Sequence, residues 1–103
     1  MRQNRLILFS RAGCCLCEGL EARLRKLALE HLTPPLTLSV IDIDGADVTS
    51  EENARYSLEI PVLFIELKSP VRRFELPRVS PRLTEEGLLN WLKKNLQEKM
   101  ERI

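Results

Sequence analysis

The chain has 103 residues, 44 % hydrophobic and 30 % charged, which suits a single folded domain over residues 1–103 with one modest core and excludes a disordered chain. Sixteen Lys and Arg against fifteen Asp and Glu leave a formal net charge of +1, which gives no support for nucleic acid or an anionic membrane as the main partner. No apolar run approaches the roughly 20 residues of a membrane span. The polar start, Met1 to Arg5, is followed only by the four apolar residues Leu6 to Phe9, too few for a secretory leader, so a cytosolic location is expected.

Residues 5–10 read as a short buried strand that ends in the turn Ser10-Arg11-Ala12-Gly13. From Cys15 to about His31 the pattern is helical: Leu16, Leu20, Leu24, Leu27 and Ala28 recur at three- and four-residue steps, with charged residues on the other face. Glu21 and Arg25 stand in the favourable order for a surface pair. Thr33-Pro34-Pro35 stops this helix. Residues 36–44 alternate and are rich in β-branched types, as a strand requires, until Gly45 breaks them. Thr49 and Glu52 form a capping-box signature for a short helix to about Ser57, with Ala54 and Leu58 as its apolar contacts.

Ile60-Pro61 precedes a further strand, Val62 to Leu67. Lys68-Ser69-Pro70 turns the chain into a hairpin partner, Val71 to Leu76. A proline-punctuated connection leads to Thr84, the cap of a last helix. Its core stripe holds Leu88, Leu89, Trp91, Leu92, Leu96 and Met100, and its Lys- and Glu-rich end is expected to fray. The order is β-α-β-α-β-β-α. Strands joined through a helix run parallel with a right-handed crossover, and a hairpin adds antiparallel strands. A mixed four-stranded α/β sheet with helices on both faces satisfies every apolar stripe.

Chemistry concentrates in Cys14, Cys15 and Cys17, three cysteines within four positions. A C-x-x-C spacing where a strand meets a helix is the layout of a redox pair. The first N–H groups of a helix lack intrahelical acceptors and carry partial positive charge, so a thiolate there is stabilised below the ordinary thiol pKa of about 8.5. Cys14 is the better nucleophile and Cys17 the resolving thiol, three residues on and within reach of a small disulfide ring. One alternative stays open for the pair at this point, two small buried hydrophobes. Zinc is disfavoured, because tetrahedral sites need four ligands and the only other Cys or His is His31, at the far end of the helix. Cys15 reads as an exposed bystander, since adjacent cysteines close only a strained ring. His31 reads as a C-terminal helix cation, Trp91 as core, and Arg72, Arg73, Lys93 and Lys94 as solvated surface.

The element order, the Cys14-x-x-Cys17 pair and Ile60-Pro61 before the third strand together resemble the thioredoxin superfamily. Within it the chain is most similar to glutaredoxin-like proteins, since only five residues precede the first strand. The resemblance implies a thioredoxin-like fold, a nucleophilic Cys14 and a resolving Cys17. It implies a cis-proline at Pro61 that faces the dithiol and leaves the backbone of Ile60 free to pair with an extended substrate. Arg11 stands where glutaredoxins often carry a lysine, a cation that favours the thiolate and meets a glutathione carboxylate. Two departures are visible. The dipeptide between the cysteines is Cys15-Leu16 instead of Pro-Tyr, and Leu76-Pro77-Arg78-Val79-Ser80 replaces the Gly-Gly turn and its polar residue. Arg78 or Arg82 is the substitute anion contact.

The function this implies is thiol–disulfide oxidoreduction on protein or glutathione-mixed disulfides, with no bound cofactor, glutathione as a co-substrate, a disulfide-containing protein or glutathione as partner, and a monomeric chain. An iron–sulfur cluster carrier, a redox-sensing adaptor and an interaction module whose thiols no longer cycle are the competing readings.

Overall fold

Strand β1 (Asn4–Ser10) lies inside the sheet, with partners on both edges and apolar residues on both faces. The structure, a computed structural model, describes residues 4–68, 71–80 and 82–101. After β1 come α1 (Cys15–Arg25), a 3-10 turn (Leu29–His31), β2 (Leu36–Asp42), α2 (Ser50–Tyr56), β3 (Val62–Lys68), β4 (Val71–Glu75) and α3 (Glu85–Glu101). The sheet order is β2-β1-β3-β4, with β1 parallel to β2 and antiparallel to β3, and β3 antiparallel to β4.

Alternation along the strands divides the apolar residues between two layers. Leu6 and Leu8 of β1 and Leu63, Ile65 and Leu67 of β3 pack against Leu20 and Leu24 of α1 and Leu88, Leu92 and Leu96 of α3. Their neighbours Ile7, Phe9, Val62 and Phe64 face the other way and pack with Ile43 and with Tyr56 of α2. Helices therefore cover both faces, and this is why β1 and β3 read as continuous apolar runs instead of alternating ones. The rings of Phe9, Phe64 and Tyr56 meet edge-on or tilted, with centroids 5.0–5.7 Å apart.

The second layer is thin. Seven residues of helix α2 extend about 10 Å, whereas seven-residue strands such as β1 run about 23 Å. The uncovered part of that face is filled by a charged row across the sheet. Arg5 pairs in register with Glu66, and Glu66 with Arg73. Arg5 donates to Glu66 Oε1 at 2.9 Å and to Ser39 at 3.2 Å, and Arg73 donates to Glu66 Oε2 at 3.0 Å and to Glu52 of α2 at 3.3 Å. Lys68 adds a third cation. Burial pushes the Glu66 carboxyl up, but hydrogen bonds from Lys68, Arg5 and Arg73 outweigh it and bring its pKa down to about 2. Arg73 is thus not the free surface cation that the sequence suggests; it joins β4 to β3 and α2.

The structure corrects several boundaries. Helix α1 stops at Arg25 rather than near His31: the N–H groups of Lys26 and Leu27 turn back to the carbonyls of Arg23 and Leu24, each at 3.1 Å, and a separate 3-10 turn follows. The chain has to reverse here to enter β2, and Leu29 and Leu32 reach the core from that reversal. Strand β2 ends at Asp42, two residues early, because the Gly45 N–H turns back onto the Asp42 carbonyl at 2.9 Å, while Ile43 packs in the second layer.

In α2 the capping box forms as expected, with Thr49 Oγ1 accepting from the Glu52 N–H at 3.1 Å and the Glu52 carboxylate accepting from the Thr49 N–H at 3.0 Å. Its apolar contact is Tyr56, however, while Ala54 is exposed and Leu58 is 94 % exposed. Thr84 caps α3 by accepting from the Gly87 N–H at 3.0 Å. Met100 lies on the exposed side, and Asn95 takes a buried place by donating its side-chain amide to the Trp91 carbonyl at 2.8 Å. Helix α3 continues through Glu101, and Ser69 and Pro70 of the expected hairpin turn lie outside the described residues.

Candidate functional site

Strand β1 delivers the cysteines. At its end the chain turns through Arg11 to Gly13, where Gly13 has φ +83°, a left-handed conformation that glycine adopts without the Cβ penalty. The Cys14 N–H closes this turn on the Arg11 carbonyl at 3.1 Å. Cys14 is then the N-cap of α1, in extended backbone, and its Sγ accepts from the Cys17 N–H at 3.2 Å. A cysteine sulfur here occupies the place that Ser, Thr or Asp usually takes at a helix start.

Cys14 and Cys17 are disulfide-bonded, with Cα atoms 5.2 Å apart. They are not equivalent: Cys17 has no exposed surface, whereas Cys14 is partly open to solvent. Cys15 is a free and exposed thiol. Among the described residues no group of three or more Cys, His, Asp and Glu is placed to hold a metal ion. His31 lies exposed in the 3-10 turn, beyond the end of α1.

Pro61 arrives from the other side of the sheet. Phe9 pairs with Val62, so Pro61 stands opposite Ser10, at the sheet end from which the dithiol turn departs. The Ile60–Pro61 bond is cis, as is Thr33–Pro34. The Ile60 N–H donates to the Tyr56 carbonyl at 3.2 Å, and the Ile60 side chain packs against the second core layer.

Arg11 is held by residues that lie far from it along the chain. Its Nε and Nη2 make a two-point bond to the Asp44 carboxylate, at 2.7 and 3.0 Å, and its Nη1 reaches the Ser57 carbonyl at 3.4 Å. That hydrogen bond raises the Arg11 pKa and lowers that of Asp44. Asp44 is oriented in turn by its own N–H, bonded to Asp42 at 2.9 Å, and by Asn53 at 3.2 Å. Arg11 thereby links the dithiol turn, the end of β2 and the segment that leads into Ile60 and Pro61. No local spacing signals Asp44, which looks in the sequence like the tail of a strand.

Beside the dithiol a cavity of about 140 Å³ opens between Leu16, Leu20, Arg23, Pro61, Arg78 and Val79. Leu16, the residue before Cys17, is 54 % exposed here. A larger groove of about 720 Å³ lies at the opposite end of the sheet, between residues 31–34 and the last turns of α3. It includes none of the cysteines.

Comparison with known proteins agrees with this geometry. No curated protein matches the chain. A solved structure described as "Structure of a malarial protein" has a TM-score of 0.54 to this one at 14 % identity, over 90 % of this chain and 97 % of that one, which bears on the fold alone. The model of the glutaredoxin-like domain (DUF836) matches residues 5–93. With Cys14 and Cys17 brought together at the start of α1, that match supports a thiol redox role. Because the match reaches all four strands, α1, α2 and the first half of α3, the chain belongs to the glutaredoxin-like domain family.

Proposed function

We propose that the protein is a thiol–disulfide oxidoreductase that reduces protein or glutathione-mixed disulfides through Cys14 and Cys17. The observation that carries this reading is the asymmetry of the pair. Cys14 is partly exposed and its sulfur accepts a backbone N–H at the head of α1, while Cys17 is wholly buried. A thiolate at Cys14 receives that N–H and the positive end of the helix, and it is the sulfur a substrate can reach.

In the reaction the Cys14 thiolate attacks one sulfur of the substrate disulfide. The substrate S–S bond breaks, one half leaves as a thiolate and takes up a proton, and the other half stays joined to Cys14. Cys17 then loses its proton and attacks the Cys14 sulfur, which releases the second substrate thiol and closes the Cys14–Cys17 bond. Two electrons and two protons pass to the substrate. A thiol reductant, glutathione or a protein dithiol, returns them by the reverse exchange. Ile60 and Pro61 border the path of the substrate backbone, and Arg11 braces the dithiol turn against the segment that carries them.

The test uses single cysteine variants with a disulfide-containing protein substrate. Cys17→Ser is expected to accumulate a mixed disulfide on Cys14, visible by mass spectrometry, and Cys14→Ser to lose turnover. Retained turnover in Cys14→Ser, or an adduct on Cys15 instead of Cys14, would refute the assignment.

A further inference from the structure

We propose that the cavity between Leu16, Pro61 and Val79 is a specificity subsite that receives a glutamate side chain of an extended protein substrate, within two residues of the cysteine being reduced. The inference rests on the oxidoreductase reading above and names the substrate class it selects. Four observations carry it.

The first is position. Leu16 immediately precedes Cys17, and Pro61 stands at the sheet end where the dithiol turn begins, so a cavity lined by both borders the reacting sulfurs. A chain whose disulfide sulfur reaches Cys14 has its neighbouring residues here. The second is size. About 140 Å³ lies well below the roughly 300–1,000 Å³ of pockets that enclose a whole small molecule; it accommodates one side chain.

The third is the lining. Leu16, Leu20, Pro61 and Val79 supply an apolar floor, Arg23 and Arg78 supply two guanidinium groups, and among the described residues no carboxylate lines the cavity. Glutamate matches that mixture, with a hydrocarbon stem for the floor and a carboxylate for the cations. The fourth is the state of those groups before substrate arrives. Arg23 donates its Nη1 to the Leu83 carbonyl at 2.9 Å, which fixes it in the wall. Arg78 is exposed and makes no ion pair among the described residues, and Leu16 leaves 54 % of its surface in water beside a reactive pair. A bound segment would cover the leucine and pair the arginine.

The experiment measures kcat/KM of the intact protein on disulfide peptides that differ only in carrying Glu, Gln or Lys within two positions of the cysteine, with glutathione disulfide as a parallel substrate. The Glu peptide is expected to exceed the Gln peptide about fivefold, the upper range for an ion pair near the surface. The Lys peptide should fall below both. Arg78→Gln should bring the Glu-to-Gln ratio to about one, Arg78→Lys should keep part of it, and the wild-type ratio should shrink with added salt.

Equal rates on Glu and Gln peptides, or a ratio that survives Arg78→Gln, overturns the subsite. If Arg78→Gln slows only glutathione disulfide, the carboxylate recognised is that of glutathione, and the protein-segment proposal fails. Failure of every disulfide to be reduced by the wild type would instead remove the oxidoreductase reading and the subsite with it.

Discussion

The buried Glu66 makes the stability of the fold depend on pH in a way that a single substitution can isolate. Its carboxylate is held by Arg5, Lys68 and Arg73 on three neighbouring strand positions. In the unfolded chain those partners disperse and the carboxyl titrates at its ordinary value of 4.5, against about 2 in the folded state. At about 1.4 kcal/mol per pH unit, that displacement amounts to roughly 3 kcal/mol of stability. The folded value is depressed, so the contribution is complete above pH 4.5 and disappears as pH falls toward about 2, where both states are protonated.

Glu66→Gln removes the titration and leaves three cations without their carboxylate. Other acidic groups also titrate in this range, so the informative quantity is the difference between wild type and variant. Urea unfolding of the disulfide form, followed by far-ultraviolet circular dichroism at constant ionic strength, gives it from pH 7 to pH 2. The gap is expected to be about 3 kcal/mol near neutrality and to close progressively between pH 4.5 and about 2. A gap that stays constant across that interval, or that closes well above it, would refute the argument that the cation row holds Glu66 ionised.

Two further outcomes test the turn and the caps around the site. The Arg11–Asp44 pair places opposite charges together near the dithiol turn, so removing either one leaves the other uncompensated. In a Cys15→Ser background, which removes the exposed free thiol, Asp44→Asn should move the pH profile of Cys14 alkylation to lower pH. Arg11→Gln should move it to higher pH, the double variant should lie near the parent, and salt should reduce both shifts. Shifts in the same direction for both single variants would mean that the pair acts only by bracing the turn. For α2, Thr49→Ala deletes the capping-box acceptor for the Glu52 N–H and should lower unfolding stability by about 1 kcal/mol. Thr49→Ser should retain most of it, and an unchanged urea midpoint in the alanine variant would show that the cap contributes nothing.

Local signals were legible in the linear chain wherever cause and effect lie within one turn or one strand. The apolar run Leu6 to Phe9, the cysteine pair three residues apart, the Thr49–Glu52 box and the Thr84 cap all act between near neighbours, and the structure realises each of them. The element order followed from the periods of these segments, and strand directions followed from the connections between them. Where partners are remote in sequence, the chain gave no such signal. Arg11 and Asp44 are 33 positions apart, and they meet because β1 and β2 end side by side. Arg5, Glu66 and Arg73 become one row through strand register, which turns an apparent surface arginine into a partner of a buried carboxylate. The early end of α1 and the burial of Tyr56 in place of Leu58 likewise follow from where each segment must meet the sheet. Leu16, Pro61 and Arg78 line one cavity only after the start of α1, the entry to β3 and the segment following β4 are brought to the same end of the fold. Residue type and spacing specify the reactive pair; packing specifies what surrounds it, because the burial and pairing energies that choose those neighbours exist only once the layers have assembled.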